Sequence, residues 1–266
     1  MIDFQRKILS SNIELDDYSG SQISISLKRE DTLDPFVSGN KFRKLKYNIL
    51  DAKSLGYTKM LTFGGAYSNH IAAVAVAGKS VGLKTIGIIR GEELASNKVI
   101  NPTLKFAHAH GMELHFVSRS VYRSKEESDY LQSLKETFGE FYLLPEGGTN
   151  TLAVKGCSEI LTNDDKNFDY ICTAVGTGGT IAGLINASED HQTVLGFSAL
   201  KGTFQKDVVE EYTEKTNFEI MDAYCFGGYA KIDSELVRFM NEFNKITGIP
   251  LDPVYTGKMM FGILIF

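Results

Sequence analysis

The stretch Tyr170-Ile-Cys-Thr-Ala-Val175, followed by Gly176-Thr-Gly-Gly-Thr180 and the apolar run Ile181 to Ile185, decides how this chain is read. A short apolar run enters a glycine-rich turn and leaves it as a second apolar run, which reads as strand, loop, helix. Glycines in such a loop let backbone N–H groups approach a bound anion closely, and the helix N-terminus adds partial positive charge. The stretch is a candidate phosphate cradle on an α/β fold. A loop of this composition also suits a nucleotide, so the cradle alone does not name its ligand.

Working outward, strand and helix signals alternate. Ile23 to Leu27 has period-2 strand character, Lys44 to Leu55 is apolar at helical spacing and stops at Gly56, and Met60 to Phe63 is a strand. The stretch Leu61-Thr-Phe-Gly-Gly-Ala-Tyr-Ser-Asn-His70 repeats the pattern of strand end, glycine turn and helix start, with Ser68 or Asn69 as the cap. A helix over Asn69 to Val81 ends at Gly82, Thr85 to Ile89 is a strand, Pro102 to His110 a helix and Glu113 to Val117 a strand. These units form one small parallel-sheet domain. Glu126 to Phe138 is an amphipathic helix and Phe141 to Leu144 a strand. From Ala153 a larger domain resumes, with strands at Tyr170 to Val175, Val194 to Ala199 and Glu219 to Ala223.

The 266 residues allow two α/β domains with a substantial core. Against 28 basic residues stand 33 acidic ones, a net charge of -5 without like-charge blocks, which argues against nucleic acid as a partner. Cys157, Cys172 and Cys225 lack metal-ligand spacing and read as buried thiols of a reducing compartment, and the five histidines form no ligand pattern. No apolar run approaches the roughly 20 residues that span a bilayer, and the N-terminus carries no signal-peptide core. A cytoplasmic chain without a membrane partner is expected.

Ser38-Gly39-Asn40-Lys41-Phe42-Arg43-Lys44 carries the candidate chemistry. Basic runs usually make solvated helix faces. A lysine held behind a Gly-Asn turn, however, can form an imine with an aldehyde cofactor. Taken in order, this motif, Gly64 to His70 and Gly176 to Thr180 resemble the fold type II, or tryptophan-synthase-β-like, pyridoxal-phosphate enzymes. Within them the chain is similar to the 1-aminocyclopropane-1-carboxylate deaminase and D-cysteine desulfhydrase family. The likeness begins at Leu27-Lys-Arg-Glu-Asp31 and ends at Leu251-Asp-Pro-Val-Tyr-Thr-Gly-Lys258.

The resemblance implies an α/β fold with two open, twisted, mostly parallel sheets flanked by helices. A large cofactor-binding domain would take residues 1–43 and 153–266, a small domain 44–152, and the assembly would be a homodimer. It implies pyridoxal 5'-phosphate as the cofactor, attached to Lys41, with Lys44 the competitor inside the motif. Gly176, Thr177, Gly178, Gly179 and Thr180 would hold the phosphate. Asn69 resembles the asparagine that bonds the ring hydroxyl, and Ser68 the serine that faces the substrate carboxylate, although a helix cap explains either. His70 stands where relatives carry glutamine or histidine, and a backbone pairing explains it as well as a catalytic role does. Tyr229 and Tyr255 match two tyrosines that flank the substrate. Thr256 departs from the deaminase branch, which carries a glutamate against the pyridine nitrogen. A hydroxyl keeps that nitrogen less protonated than a carboxylate does, which suits β-elimination. The expectation is a lyase or deaminase of a small amino acid, like D-cysteine desulfhydrase, releasing pyruvate, ammonia and sulfide. 1-Aminocyclopropane-1-carboxylate deaminase, releasing 2-oxobutanoate and ammonia, is the nearest alternative. Family members continue past the segment that starts at Lys258, so a missing C-terminal part is expected, with a catalytically impaired cofactor-binding protein as the third reading.

Overall fold

The computed structural model describes residues 2–4, 12–14, 24–95 and 101–265. Its elements begin with strands β1 (Asn12–Glu14) and β2 (Ser26–Lys28), then α1 (Asn40–Ser54), β3 (Lys59–Gly64), α2 (Asn69–Val81), β4 (Lys84–Arg90) and α3 (Pro102–Ala109). They continue through β5 (Met112–Val117), α4 (Arg119–Arg123), α5 (Ser128–Phe138), β6 (Tyr142–Leu144), α6 (Thr151–Ser158), β7 (Tyr170–Val175) and α7 (Gly179–Ala187). The last are β8 (Thr193–Ser198), α8 (Gln205–Glu210), β9 (Phe218–Met221), α9 (Ser234–Thr247) and α10 (Thr256–Ile265). The start of the expected strand Ile23 to Leu27 lies outside the described residues. One compact unit comprises Met1–Leu9 and Glu30–Gly156, the other Ser10–Arg29 and Cys157–Phe266.

In the first unit a four-stranded sheet runs in the order β5-β4-β3-β6 with every pairing parallel. Alternation along β3 explains its two covered faces. Met60 joins Phe42, Leu45 and Ile49 of α1 and Ile71 and Val74 of α2 in one core. Leu61 and Phe63 turn the other way, onto Ile86, Ile88 and Leu134. A parallel sheet needs such cover on both sides. Gly82 closes α2 in the left-handed region at φ 79°, where a side chain is disfavoured.

Two boundaries differ from the expected ones. α1 starts at Asn40 rather than Lys44, because the turn is made by Gly39 at φ 58°, which no Cβ opposes, while Asn40 is already helical. Lys41 therefore sits on the first turn of a helix, not in a loop behind it. The segment Glu30 to Arg43, expected with residues 153–266, lies in the first unit. Arg43 grips Glu30 through two bonds of 2.8 and 2.9 Å, and Val37 and Phe42 enter the same core as α1.

The second unit holds a three-stranded parallel sheet, β7-β8-β9, and the antiparallel pair β1-β2. α9 and α10 cover one face through Phe243, Met259 and Met260 against Phe197. On the other face α7 comes so close to β8 that a Cβ on Gly196 would stand 2.6 Å from Ile181 Cδ1. α4, α6, α8 and α9 were not expected. For α9 the signal exists: Asp233 caps it by accepting the Leu236 N–H at 2.9 Å, and Gly248 ends it at φ 71°.

Candidate active site

The first unit carries the lysine motif. Lys41 is half-buried and its Nζ donates to Asn40 Oδ1 at 3.3 Å. Lys44, one helical turn on, is only 2% exposed, and its Nζ donates to Gly147 O at 3.1 Å and Thr149 Oγ1 at 2.9 Å. The two amines of the motif thus differ in surroundings. At the carboxyl end of β3, Ser68 Oγ accepts the Ile71 N–H at 3.3 Å, so the cap reading of Ser68 holds, and its hydroxyl proton remains for donation. Gly64 must lack a side chain here, since a Cβ would lie 2.5 Å from Ile71 Cγ1 and 3.0 Å from Ser68 Oγ. Asn69 is exposed at the first position of α2.

His70, immediately after, is buried behind that turn. Thr62 Oγ1 lies 2.8 Å from His70 Nε2 and also donates to the Leu144 carbonyl at 3.0 Å. A carbonyl accepts only, so the hydroxyl proton goes to Leu144 and Nε2 must carry the imidazole proton. Nδ1 then holds a bare lone pair, buried and without a partner among the described residues. Burial, then the positive charges of Lys41 and Lys44, hold the His70 pKa well below its ordinary value. His70 is a neutral imidazole in the electrostatic reach of Lys41. Its pairing is with a side chain, not with the backbone.

The second unit carries the candidate cradle. β7 ends at Val175 and α7 begins at Gly179, with Gly178 at φ 84° as its cap and no side-chain cap bond. Gly178 has no side chain with which to cap α7, whose N-terminus opens onto the glycine loop. Tyr255 leans over the loop: a Cβ on Gly176 would stand 3.2 Å from its Cε1 and 3.6 Å from its hydroxyl oxygen. The Tyr229 and Tyr255 rings meet at 6.3 Å with an interplanar angle of 66°. Thr256 opens α10, and its Oγ1 accepts the Asp252 N–H at 2.8 Å. The loop, both tyrosines and Thr256 are thus brought together within this unit.

Lys258 was not singled out from sequence. It is 1% exposed, and its Nζ donates to Cys225 O at 2.7 Å, Gly228 O at 2.8 Å and Ala199 O at 3.5 Å. Burial lowers its pKa from the ordinary lysine value. These carbonyls belong largely to the loop that presents Tyr229, in which Phe226 and Ala230 adopt φ of 52° and 56° beside Gly227 and Gly228. Lys258 fastens that loop to α10. Cys157 and Cys225 are buried, and desolvation pushes the Cys172 thiol up to about 11, so Cys172 offers no thiolate at neutral pH.

A parallel-sheet unit with a glycine cradle, and another with a lysine on the first turn of a helix, define a class of enzyme built to hold a phosphorylated aldehyde. The sequence profile described as "Pyridoxal-phosphate dependent enzyme" matches residues 12–265, and the chain belongs to that family. Its relatives narrow the group to 1-aminocyclopropane-1-carboxylate deaminases and D-cysteine desulfhydrases. A Thermotoga maritima protein provisionally named 1-aminocyclopropane-1-carboxylate deaminase is 37% identical over 91% of this chain and 83% of its own length. An Arabidopsis thaliana mitochondrial protein named as a bifunctional D-cysteine desulfhydrase and 1-aminocyclopropane-1-carboxylate deaminase is 28% identical over 90% of this chain and 66% of its own. The crystal structure of a 1-aminocyclopropane-1-carboxylate deaminase homologue superposes with a TM-score of 0.84, at 27% identity, over 97% of this chain and 84% of that one. The chain shares their α/β fold of parallel sheets flanked by helices, and it is pyridoxal-phosphate dependent. The residues present fit the group, because Gly176, Gly178 and Gly179 let backbone amides at the start of α7 approach a phosphate and Lys41 supplies an amine.

Proposed function

We propose that the chain degrades a small D-amino acid carrying a β leaving group, with D-cysteine as the preferred substrate. Bound pyridoxal phosphate supplies an aldehyde for covalent capture of an amine and a ring that stabilises negative charge at the substrate α-carbon. Lys41 would hold the cofactor through its amine and, once released as a neutral amine, would move the α-proton. Gly176 to Thr180 bind the phosphate through backbone amides. Asn69 bonds the ring hydroxyl, and Ser68 donates its remaining proton to the substrate carboxylate. Tyr229 and Tyr255 orient the substrate. Water completes the balance: D-cysteine and water give pyruvate, ammonia and hydrogen sulfide.

The observation that carries this reading is Thr256. Its oxygen is occupied by the Asp252 N–H at 2.8 Å, which leaves a neutral O–H to offer to the ring nitrogen. A neutral donor favours an unprotonated ring and hence a weaker electron sink than a carboxylate would give. Expulsion of a thiolate tolerates that better than opening of a cyclopropane. The relatives' names support the second reading, conversion of 1-aminocyclopropane-1-carboxylate and water to 2-oxobutanoate and ammonia.

Keto-acid release from both compounds separates these readings, and a higher kcat/KM for the cyclopropane substrate would reject the first. Turnover of neither supports a cofactor-binding chain without this activity. Borohydride reduction followed by peptide mapping should place the cofactor on Lys41; a label on Lys44 refutes that assignment.

A further inference from the structure

We propose that the first unit contains a second anion site, formed by Arg90, Arg119 and Arg123, for a small dicarboxylate or phosphate-bearing ligand. It is distinct from the Gly176–Thr180 cradle and does not rest on the substrate assigned above.

The site is a cavity of about 540 Å³ lined by Gly65, Tyr67, Arg90, Arg119, Tyr122 and Arg123, with Glu93 at its side. That volume suits a small metabolite. Its walls come from the segments following three neighbouring parallel strands: Gly65 and Tyr67 follow β3, Arg90 ends β4, and α4 follows β5. Ligands of open parallel sheets bind outside the carboxyl ends of the strands, and this cavity lies there.

Its charge runs against that of the chain. Three guanidinium groups face one carboxylate in a protein of net charge -5. Arg119 is paired with Glu93 at 3.0 Å, whereas among the described residues no carboxylate lies against Arg90 or Arg123. Arg90 lies over an aromatic ring. Its guanidinium carbon lies 5.7 Å from the Tyr122 ring centroid, and a Cβ on Gly65 would stand 3.7 Å from Arg90 Nη2. Behind the ring, Lys125 lies 5.7 Å from the same centroid and pairs with Glu146 at 3.6 Å, so that carboxylate is already engaged. A planar guanidinium with an open face binds carboxylate or phosphate in bidentate fashion.

Gly65 connects the cavity to the turn that ends in Ser68, because the Ser68 N–H donates to Gly65 O at 3.1 Å. An anion seated on Arg90 touches that turn, and its occupancy should be felt in substrate affinity.

The test uses the holoenzyme, so that cofactor fills the cradle, titrated calorimetrically with inorganic phosphate and, separately, with succinate. Saturable binding at one site per chain is expected, weakened about tenfold or more in Arg90→Gln and in Arg123→Gln, both exposed positions. Arg238→Gln, an exposed change on α9, should leave binding unchanged. Phosphate binding without succinate binding would assign the site to phosphate esters, and the reverse to dicarboxylates. The proposal is overturned if neither anion saturates below about 10 mM, or if binding survives both arginine substitutions.

Discussion

Lys258→Met isolates the ammonium that fastens the Tyr229 loop. The short bonds to Cys225 O and Gly228 O, at 2.7 and 2.8 Å, are charge-assisted and worth about 1.5–3 kcal/mol each. Methionine forfeits both, but it also avoids the several kcal/mol of desolvation that a buried ammonium incurs. The carbonyls are not orphaned by the change, since Cys225 O also accepts from the Gly228 N–H at 3.0 Å and Gly228 O from the Lys231 N–H at 3.1 Å. The global loss should therefore be modest, about 1–3 kcal/mol by urea denaturation. The loop should suffer more than the fold. Phe226 and Ala230 hold left-handed conformations that cost non-glycine residues about 1–2 kcal/mol each, and the ammonium is what opposes their relaxation. Hydrogen exchange at the Gly228 and Lys231 amides should accelerate about ten- to a hundredfold, while amides of β7 and β8 keep their protection. In Lys258→Ala, propylammonium at high concentration should restore part of the slow exchange by occupying the vacated cage. An unchanged denaturation midpoint together with native exchange at both amides refutes the clamp.

His70 gives the pH dependence. Its folded pKa lies below the unfolded value of about 6.5, so in acid the unfolded chain binds the extra proton and stability falls as pH drops below that value, by up to about 1.4 kcal/mol per unit. His70→Gln should flatten that part of the profile; an identical slope in the variant removes His70 as its source. Gly178→Asp puts a Cβ on a backbone at φ 84° and a carboxylate at the cradle, and should weaken cofactor binding at least about a hundredfold in a chain with native circular dichroism. Unaltered affinity would reject the cradle.

Much of the fold was legible because glycine punctuates it. Gly56, Gly82 and Gly111 each stop a helix at positive φ, and the strands between them fall within a residue or two of their expected limits. The glycine turn between β7 and α7 and the Ser68 cap were legible for the same reason, since both are local turns. What the sequence hid is non-local. The start of α1 depended on whether Gly39 or Asn40 makes the turn, and the division between units on Arg43 reaching back thirteen residues to Glu30. His70 could be read either way until Thr62 and Leu144 fixed its tautomer. Lys258 left no trace, because its partners are backbone carbonyls that any residue can supply from thirty or more positions away. The arginines at 90, 119 and 123 converge only because β4 and β5 are neighbours.

The fastening of Lys44 bears on how this protein can be made silent. A chain bearing Lys41→Ala keeps an equivalent amine one turn along the same helix face, the kind of spare nucleophile that can restore covalent capture in a supposed blank. Here Gly147 and Thr149 tie that amine down, and freeing it means dismantling the turn around residue 147. The single substitution should thus yield a faithful blank, and an adventitious aldehyde reaching the Ser38–Lys44 motif finds one lysine amine where the sequence spells two.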